Sequence, residues 1–461
     1  MHSRRDFLRH AALFSAGFMG LRQLAHRPLF AADTFASSPR VGFGPLLDEP
    51  SGPMRVPRGF RCTKFSATGE EMADGLLVPG KHDGMAAFTG PDGRTLLVRN
   101  HELESHQADL GAFGPDRSRL DRIPAKKIYD RGHNIEPNLG GTTTLVFNTR
   151  TQQLESHFLS LAGTVRNCAG GPTPWGTWIT CEEVNPDAEP HAEQPHGFNF
   201  EVTPSATPGL VDPIPLKAMG RFRHEAVAID PRSGAVYQTE DISDGLLYRF
   251  LPHEPGRLAA GGRLQALALV DWPSPHTTNW LEPHFPVGSP QRVRWLDLDD
   301  VESPAGDLRL RGAAAGAAIF ARGEGAWHGH DSVFFAMTNG GSAGLGQIFR
   351  YRPSPFEGTP RESENPGTLE LFSEPNDSEL LRNCDNVTVA PWGDLVLCED
   401  TSGICRVIGV TPKGEYYVIA AGVTDGELAG ACFSPDGSTL FVNVQTPGYT
   451  VAITGPWPAP S

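Results

Sequence analysis

Six times along the chain a polar residue opens a short apolar run, a Pro, Gly or Asp turn follows, and a second apolar run closes on another polar residue. The clearest copy is His224-Glu225 through Asp230, the turn Pro231-Arg-Ser-Gly234, and Ala235 through Glu240-Asp241. It reads as strand, turn, strand. Simple pairing about that turn puts Ile229 opposite Val236 and Glu225 opposite Glu240, so both carboxylates lie at the open end of one hairpin. The other copies open at Asp83, Cys168, Glu324, Asp385 and Glu427 and close near Glu102, Glu182-Glu183, Asn339, Glu399 and Asn443-Val-Gln445. Pro174-Trp-Gly-Thr-Trp-Ile-Thr-Cys-Glu-Glu183 and Pro391-Trp-Gly-Asp-Leu-Val-Leu-Cys-Glu-Asp400 are near duplicates. Six such units predict an all-β, six-bladed β-propeller rather than a sandwich with coincidental turns. Their uneven spacing implies long insertions between strands at 103–137, 185–219 and 251–320, which shape access to one face.

Composition supports this and narrows the function. Gly and Pro together number 93 of 461 residues (52 and 41), which argues against a helical bundle. No apolar run is long enough to span a bilayer, so stable membrane insertion is not expected. The net charge of −15 opposes general nucleic-acid binding. Ser3-Arg4-Arg5-Asp6-Phe7-Leu8 followed by the apolar stretch from Ala11 is a twin-arginine export signal. Residues 1–36 are therefore an address read by the twin-arginine export machinery, and 37–461 a single catalytic domain of a periplasmic or secreted protein. Losing five arginines and two aspartates with that segment moves the charge from −15 to −18.

A propeller gathers the first strands of its blades around one channel. The predicted mouth then holds Asp83, Glu102, Cys168, Glu182, Glu183, Glu225, Glu240, Glu324, Asp385, Glu399 and Glu427. So many carboxylates cannot ionise together without counter-charge, and bound multivalent cations supply it. Hard oxygen donors suit Ca²⁺, whereas the one thiol, Cys168, favours a transition metal such as iron. Cys62, Cys405 and Cys432 read as core, and Cys181 and Cys398 as packing inside second strands. Trp175 and Trp392 read as packing between blades, and His101 and His224 divide evenly between supporting the cluster and acting directly. Arg322, two residues before Glu324, projects toward the same mouth and suits bidentate binding of a phosphate or carboxylate. No G-x-S-x-G elbow, phosphate-binding P-loop or H-E-x-x-H helix occurs.

The segments His82-Asp-Gly-Met85, Asn100-His-Glu102, Asn167-Cys-Ala-Gly-Gly171, His224-Glu-Ala226, Arg322-Gly-Glu324-Gly, Cys398-Glu-Asp400 and Phe433-Ser-Pro-Asp-Gly437 resemble the PhoX-type alkaline phosphatases, a family of exported bacterial enzymes. The resemblance runs from about Asp83 to the C-terminus. It implies a six-bladed propeller carrying two Fe³⁺ and three Ca²⁺ ions around a bridging oxo group. Cys168 would be an iron ligand, Glu225 and Glu324 would bind the cluster, and Arg322 would hold the substrate phosphate. The expected substrates are small phosphate monoesters and the expected state a monomer. Two other readings stay open: a calcium-dependent lactonase-like hydrolase, which would need neither Cys168 nor Arg322, and a calcium-stabilised propeller without chemistry.

Overall fold

The structure, a computed structural model, describes residues 41–47, 52–184, 192–273 and 275–460. The segment 1–36, expected to be an export signal, lies outside the described residues, which all belong to one compact unit, Val41–Ser461.

Strands of four to twelve residues rich in Val, Ile, Phe and Tyr alternate with Pro/Gly turns and pair as antiparallel hairpins, each extended outward by further strands. Unit 1 comprises His82–Thr89, Thr95–His101, Gly140–Asn148 and Gln153–Thr164. Unit 2 comprises Asn167–Pro172, Trp178–Glu182 and Asn199–Val202. Unit 3 comprises His224–Ile229, Val236–Glu240, Leu247–Pro252 and Gly262–Leu269. Unit 4 comprises Gly323–Gly329, Ser332–Met337, Gln347–Arg352 and Thr368–Ser373. Unit 5 comprises Cys384–Val389, Leu395–Glu399, Arg406–Val410 and Tyr416–Ala421. Unit 6 takes Leu428–Phe433, Thr439–Val444 and Tyr449–Thr454 from the end of the chain, and its outer strand, Arg61–Phe65, from the beginning. That last pairing ties the two ends of the fold together. The strand Gln291–Asp297 joins units 3 and 4 into one sheet. The span 251–320 is thus not all insertion, because it also contains the fourth strand of unit 3.

Each first strand lies beside the first strand of the next unit, and that of unit 6 returns to that of unit 1. The arrangement is propeller-like. Its core is not one mass but a series of apolar layers between neighbouring sheets. Ala86, Val98 and Leu161 of unit 1 meet Trp178, Phe198 and Phe200 of unit 2, and Leu97, Leu145 and Phe147 meet Cys432 and Phe441 of unit 6. Comparable layers join units 2 to 3, 3 to 4, 4 to 5 and 5 to 6. Trp175 and Trp392 pack at such layers, the latter in a cluster with Phe43, Phe433 and Trp457. All seven cysteines are free thiols.

Close approach at the centre needs small residues. A Cβ on Gly84 would lie 2.5 Å from the Cα of Ala169, and one on Gly171 would lie 1.9 Å from the carbonyl oxygen of Val227. Backbone cannot yield at either contact, so Gly171→Ala should cost about 1–3 kcal/mol through forced overpacking. Urea unfolding should show a lowered midpoint for Gly171→Ala and none for Gly209→Ala, where an added methyl meets nothing within 4 Å.

Candidate metal centre

One irregularity recurs in all six hairpins. The pairing register slips by one residue near the start of the first strand, between His82 and Met85, Asn167 and Gly170, His224 and Val227, Gly323 and Ala326, Cys384 and Val387, and Ala429 and Cys432. Each slip is a β-bulge, which turns a side chain out of the ordinary alternation. In units 1 to 5 the bulged segment begins with Asp83, Cys168, Glu225, Glu324 and Asp385, and these five line one polar basin. Unit 6 has Gly430 at the equivalent place and sends Glu427 from just ahead of its strand instead.

The basin, about 140 Å³, is walled by nine carboxyl groups, one thiol and three guanidinium groups. Its donors form four overlapping triads, each with ligand atoms within 4.8 Å of one another: Asp83, Glu102 and Cys168; Cys168, Glu183 and Glu225; Glu225, Glu324 and Asp385; Asp385, Glu427 and Asp83. Each triad shares one residue with the next, and the fourth returns to the first. Asp83, Cys168, Glu225 and Asp385 are the shared corners.

Without cations this ring resists ionisation. Burial, reinforced by Glu102, pushes Asp83 up to about 7. Burial and neighbouring carboxylates push Glu225, Glu324, Asp385 and Glu427 well above the usual carboxylate range. Burial, then Glu102 and Glu225, also raises the Cys168 thiol, whose Sγ donates to Glu183 Oε2 at 3.0 Å. The three arginines offset only part of this. Arg322 spans Asp241 through Nε and Nη2 at 2.7 and 2.8 Å, and Nη2 also reaches Glu324 at 2.9 Å. Arg166 meets Glu102 at 2.5 Å and also pairs with Glu183. Arg223 pairs with Glu183 and lies 3.4 Å from Asp241.

Seven of the ten metal ligands expected from sequence reach the basin: Glu102, Cys168, Glu183, Glu225, Glu324, Asp385 and Glu427. Arg322 reaches it too. Glu182, Glu240 and Glu399 do not. The bulge sets His224, not Glu225, opposite Glu240, and likewise Asn167 opposite Glu182 and Cys384 opposite Glu399. Those three carboxylates therefore point away from the basin, among the strands. Glu182 accepts from the backbone amides of Val165, Gly197 and Phe198 and pairs with His196. Glu240 accepts from Leu246 N and the Tyr248 hydroxyl. Glu399 is held by Arg382 and Arg406. His101 and His224 are equally structural: His101 bonds Gly80 O and Thr143 Oγ1, and His224 bonds Gly220 O and stacks on Phe222.

In units 2, 3 and 5 the true closing residue comes one position later than Glu182, Glu240 and Glu399, and in unit 4 it is Thr338 rather than Asn339. The amides of Glu102, Glu183, Asp241, Thr338, Asp400 and Gln445 donate to the carbonyls of Lys81, Arg166, Arg223, Arg322, Asn383 and Glu427. This pattern exposes four basin residues that sequence reasoning missed: Asp241, Asp400, Arg166 and Arg223. The signal was available. Lys81, Arg166, Arg223 and Arg322 each stand immediately before a first strand, so Arg322 is one of a repeated set rather than a singular residue. Lys81, Arg166 and Arg322, together with Asn383 in unit 5, adopt left-handed backbone angles with φ of 45–52°. Such angles are uncommon in non-glycine residues and cluster at functional sites.

The family described as alkaline phosphatase PhoX matches residues 41–448. The chain belongs to that family. Among solved structures, PhoX of Pseudomonas fluorescens in complex with vanadate, a transition state analogue, is similar at a TM-score of 0.64 and 18% identity, over 87% of this chain and 96% of that one. At that identity the likeness establishes a shared fold. A gluconolactonase from Xanthomonas campestris reaches a TM-score of 0.40 at 12% identity, over 90% of this chain and 98% of that one, too low to carry weight. No curated protein sequence matches the chain. Phosphatase function follows from the family.

Two measurements follow. Glu183→Ala should lower the bound-metal stoichiometry, with little change in the unfolding midpoint measured in chelator. Glu182→Ala should instead destabilise the fold by about 3–5 kcal/mol, because it strands the His196 partner and three buried amides. Chelation should also invert the response to pH. In the cation-free fold Asp83 titrates near 7 against an ordinary 3.8, so the folded form holds more protons than the unfolded between those values. Chelated protein should therefore gain thermal stability as pH falls from 7.5 to 5, and the stabilisation by added cations should grow as pH rises.

Proposed function

We propose that this chain is an exported six-bladed phosphomonoesterase whose basin holds Fe³⁺ and Ca²⁺. The observation that carries the reading is the donor set: nine carboxyl groups and a thiol against three guanidinium groups in one small basin. That imbalance fits several multivalent cations and no other common ligand. The two triads that contain Cys168 mix a soft donor with oxygens, which suits iron; the two all-carboxylate triads suit calcium. Cations so held act as Lewis acids toward a phosphoryl group and lower the charge developed during transfer.

The chain's own residues then bind and orient. Arg322 presents its guanidinium beside Glu324, and Asp241 fixes its plane through two hydrogen bonds. Nη1 lies outside those bonds, so it can donate to phosphoryl oxygen from a guanidinium already fixed in place, with no rearrangement as negative charge accumulates. Arg166 and Arg223, tied to Glu183, complete a cationic side of the basin that attracts an anionic ester to an acidic protein. The domain would run from residue 37 after removal of a twin-arginine address at 1–36. Export as a folded protein would let metals load before or after transport.

The test is metal content and p-nitrophenyl phosphate hydrolysis on one sample purified from an export-competent host without chelators. Iron and calcium should be present together. Arg322→Ala should lose about 10²–10³-fold in kcat/KM, in line with removal of a transition-state donor. Cys168→Ala should lose iron and activity in parallel. Calcium alone, with no hydrolysis after iron is supplied, overturns the reading.

A further inference from the structure

The segment 275–285 is used by neither the sheets nor the metal basin. His276 forms a parallel bridge with Ile319, and Thr277 N donates to Ile319 O at 3.0 Å. From that bridge the two segments run in the same direction, one toward Asn279 and the other toward Arg322 three residues on, within about 11 Å. At the far end both attach to consecutive residues. Thr338 N donates to Arg322 O at 3.0 Å, and the indole Nε1 of Trp280 donates to Asn339 O at 2.7 Å. Trp280 thus stands beside the closing end of unit 4, one residue beyond the Thr338 amide that holds the Arg322 carbonyl.

The segment has rigid feet and an exposed tip. Asn279, buried and with φ of 55°, bonds both the amide and the carbonyl of Phe285, closing the loop 280–284 on itself. Its Nδ2 also donates to Glu374 at 2.7 Å. The tip nevertheless presents Trp280 at 40% exposure and Leu281 at 96%. Beside it lies a cavity of about 470 Å³ walled by Trp272, His276, Trp280, Leu281 and His284. An apolar and aromatic tip on a braced loop, next to an anion-binding arginine, is placed to meet the organic part of an ester rather than its phosphate.

We propose that Trp280 and Leu281 form a subsite for the leaving group, giving this enzyme a preference for phosphate monoesters of aromatic or bulky apolar alcohols. The inference rests on the phosphomonoesterase reading. The phosphoryl group docks on Arg322, and the alcohol portion lies against the indole, whose orientation is set by its bond to Asn339 O. Trp280 is a specificity residue: it touches the ester's alcohol portion and takes no part in bond breaking.

The test compares 1-naphthyl phosphate with glycerol phosphate, and phenylphosphonate with inorganic phosphate as inhibitors. In Trp280→Ala, KM for the naphthyl ester should rise at least fivefold with kcat within twofold, while kcat/KM for glycerol phosphate stays within twofold. The preference for phenylphosphonate over inorganic phosphate should disappear, with phosphate inhibition unchanged. Trp280→Phe, which keeps the ring and drops the N–H, should recover most of the naphthyl preference. Leu281→Asn, at the exposed tip where folding is not at stake, should raise the naphthyl KM two- to threefold. An unchanged ratio between the two esters in both Trp280→Ala and Leu281→Asn overturns the subsite and leaves the phosphomonoesterase reading standing. A wild-type enzyme that hydrolyses neither ester overturns both.

Discussion

Mutual repulsion among buried carboxylates is the constraint on which this structure depends. Nine acids and a thiol are forced into one basin by the backbone, not by any attraction between them. Without cations, Asp83, Cys168, Glu225, Glu324, Asp385, Asp400 and Glu427 shift upward in pKa, burial first and neighbouring carboxylates in most of them second. The apolar layers between neighbouring sheets hold the strand ends in place, and the three arginines offset part of the charge. The fold is in this sense built against its own site, and cations relieve the conflict. A centre of this kind stores binding energy for metals in the protein scaffold.

The bulge is the device that makes the convergence specific. In a regular hairpin, alternation would place both residues flanking each basin ligand on the face opposite to it. One extra residue per first strand re-aims the ligand and pairs its predecessor with the closing strand. The same step separates two populations of acids that are adjacent in sequence. Glu183, Asp241 and Asp400 face the basin; Glu182, Glu240 and Glu399, one residue earlier, turn among the strands and take hydrogen bonds from backbone amides, a tyrosine or arginines. One carboxylate of each adjacent pair faces the site, and the other anchors the strand that carries it.

This explains what was legible in the sequence and what was not. The hairpins were legible because Pro and Gly turns and β-branched runs are local signals, and the opening residues because each is a polar residue at the head of the apolar run that leads into its turn. Ile229 opposite Val236 follows directly from turn geometry and is observed. The closing acids were misassigned by one residue in units 3 and 5, because a bulge is a property of paired strands and leaves no signature in either strand alone. Unit 2 escaped that error only because Glu182 and Glu183 are both acidic. The arginines were missed for a different reason. Arg322 stood out beside Glu324, whereas Arg166 and Arg223 precede Cys168 and Glu225 by two residues just as Arg322 precedes Glu324, and comparison across units would have found them.

That repetition bears on how the cationic side is held. Lys81, Arg166, Arg223 and Arg322 precede four consecutive first strands, and their carbonyls each accept the amide of a closing residue. The backbone of each is therefore fixed at both ends, by the first strand and by the closing strand of the same unit. The left-handed angles at Lys81, Arg166 and Arg322 are sustained by that double attachment rather than by their own preference. Lys81 spends its ammonium on Gln445, the neutral closing residue of unit 6, at 2.7 Å. The guanidinium groups instead meet carboxylates that also face the metal triads, so any change in charge at the triads is felt at the arginines without movement of either backbone. Coupling of that kind needs no lid and no hinge: it follows from placing a guanidinium just ahead of the first strand in units 2, 3 and 4 and a carboxylate or thiol two residues later.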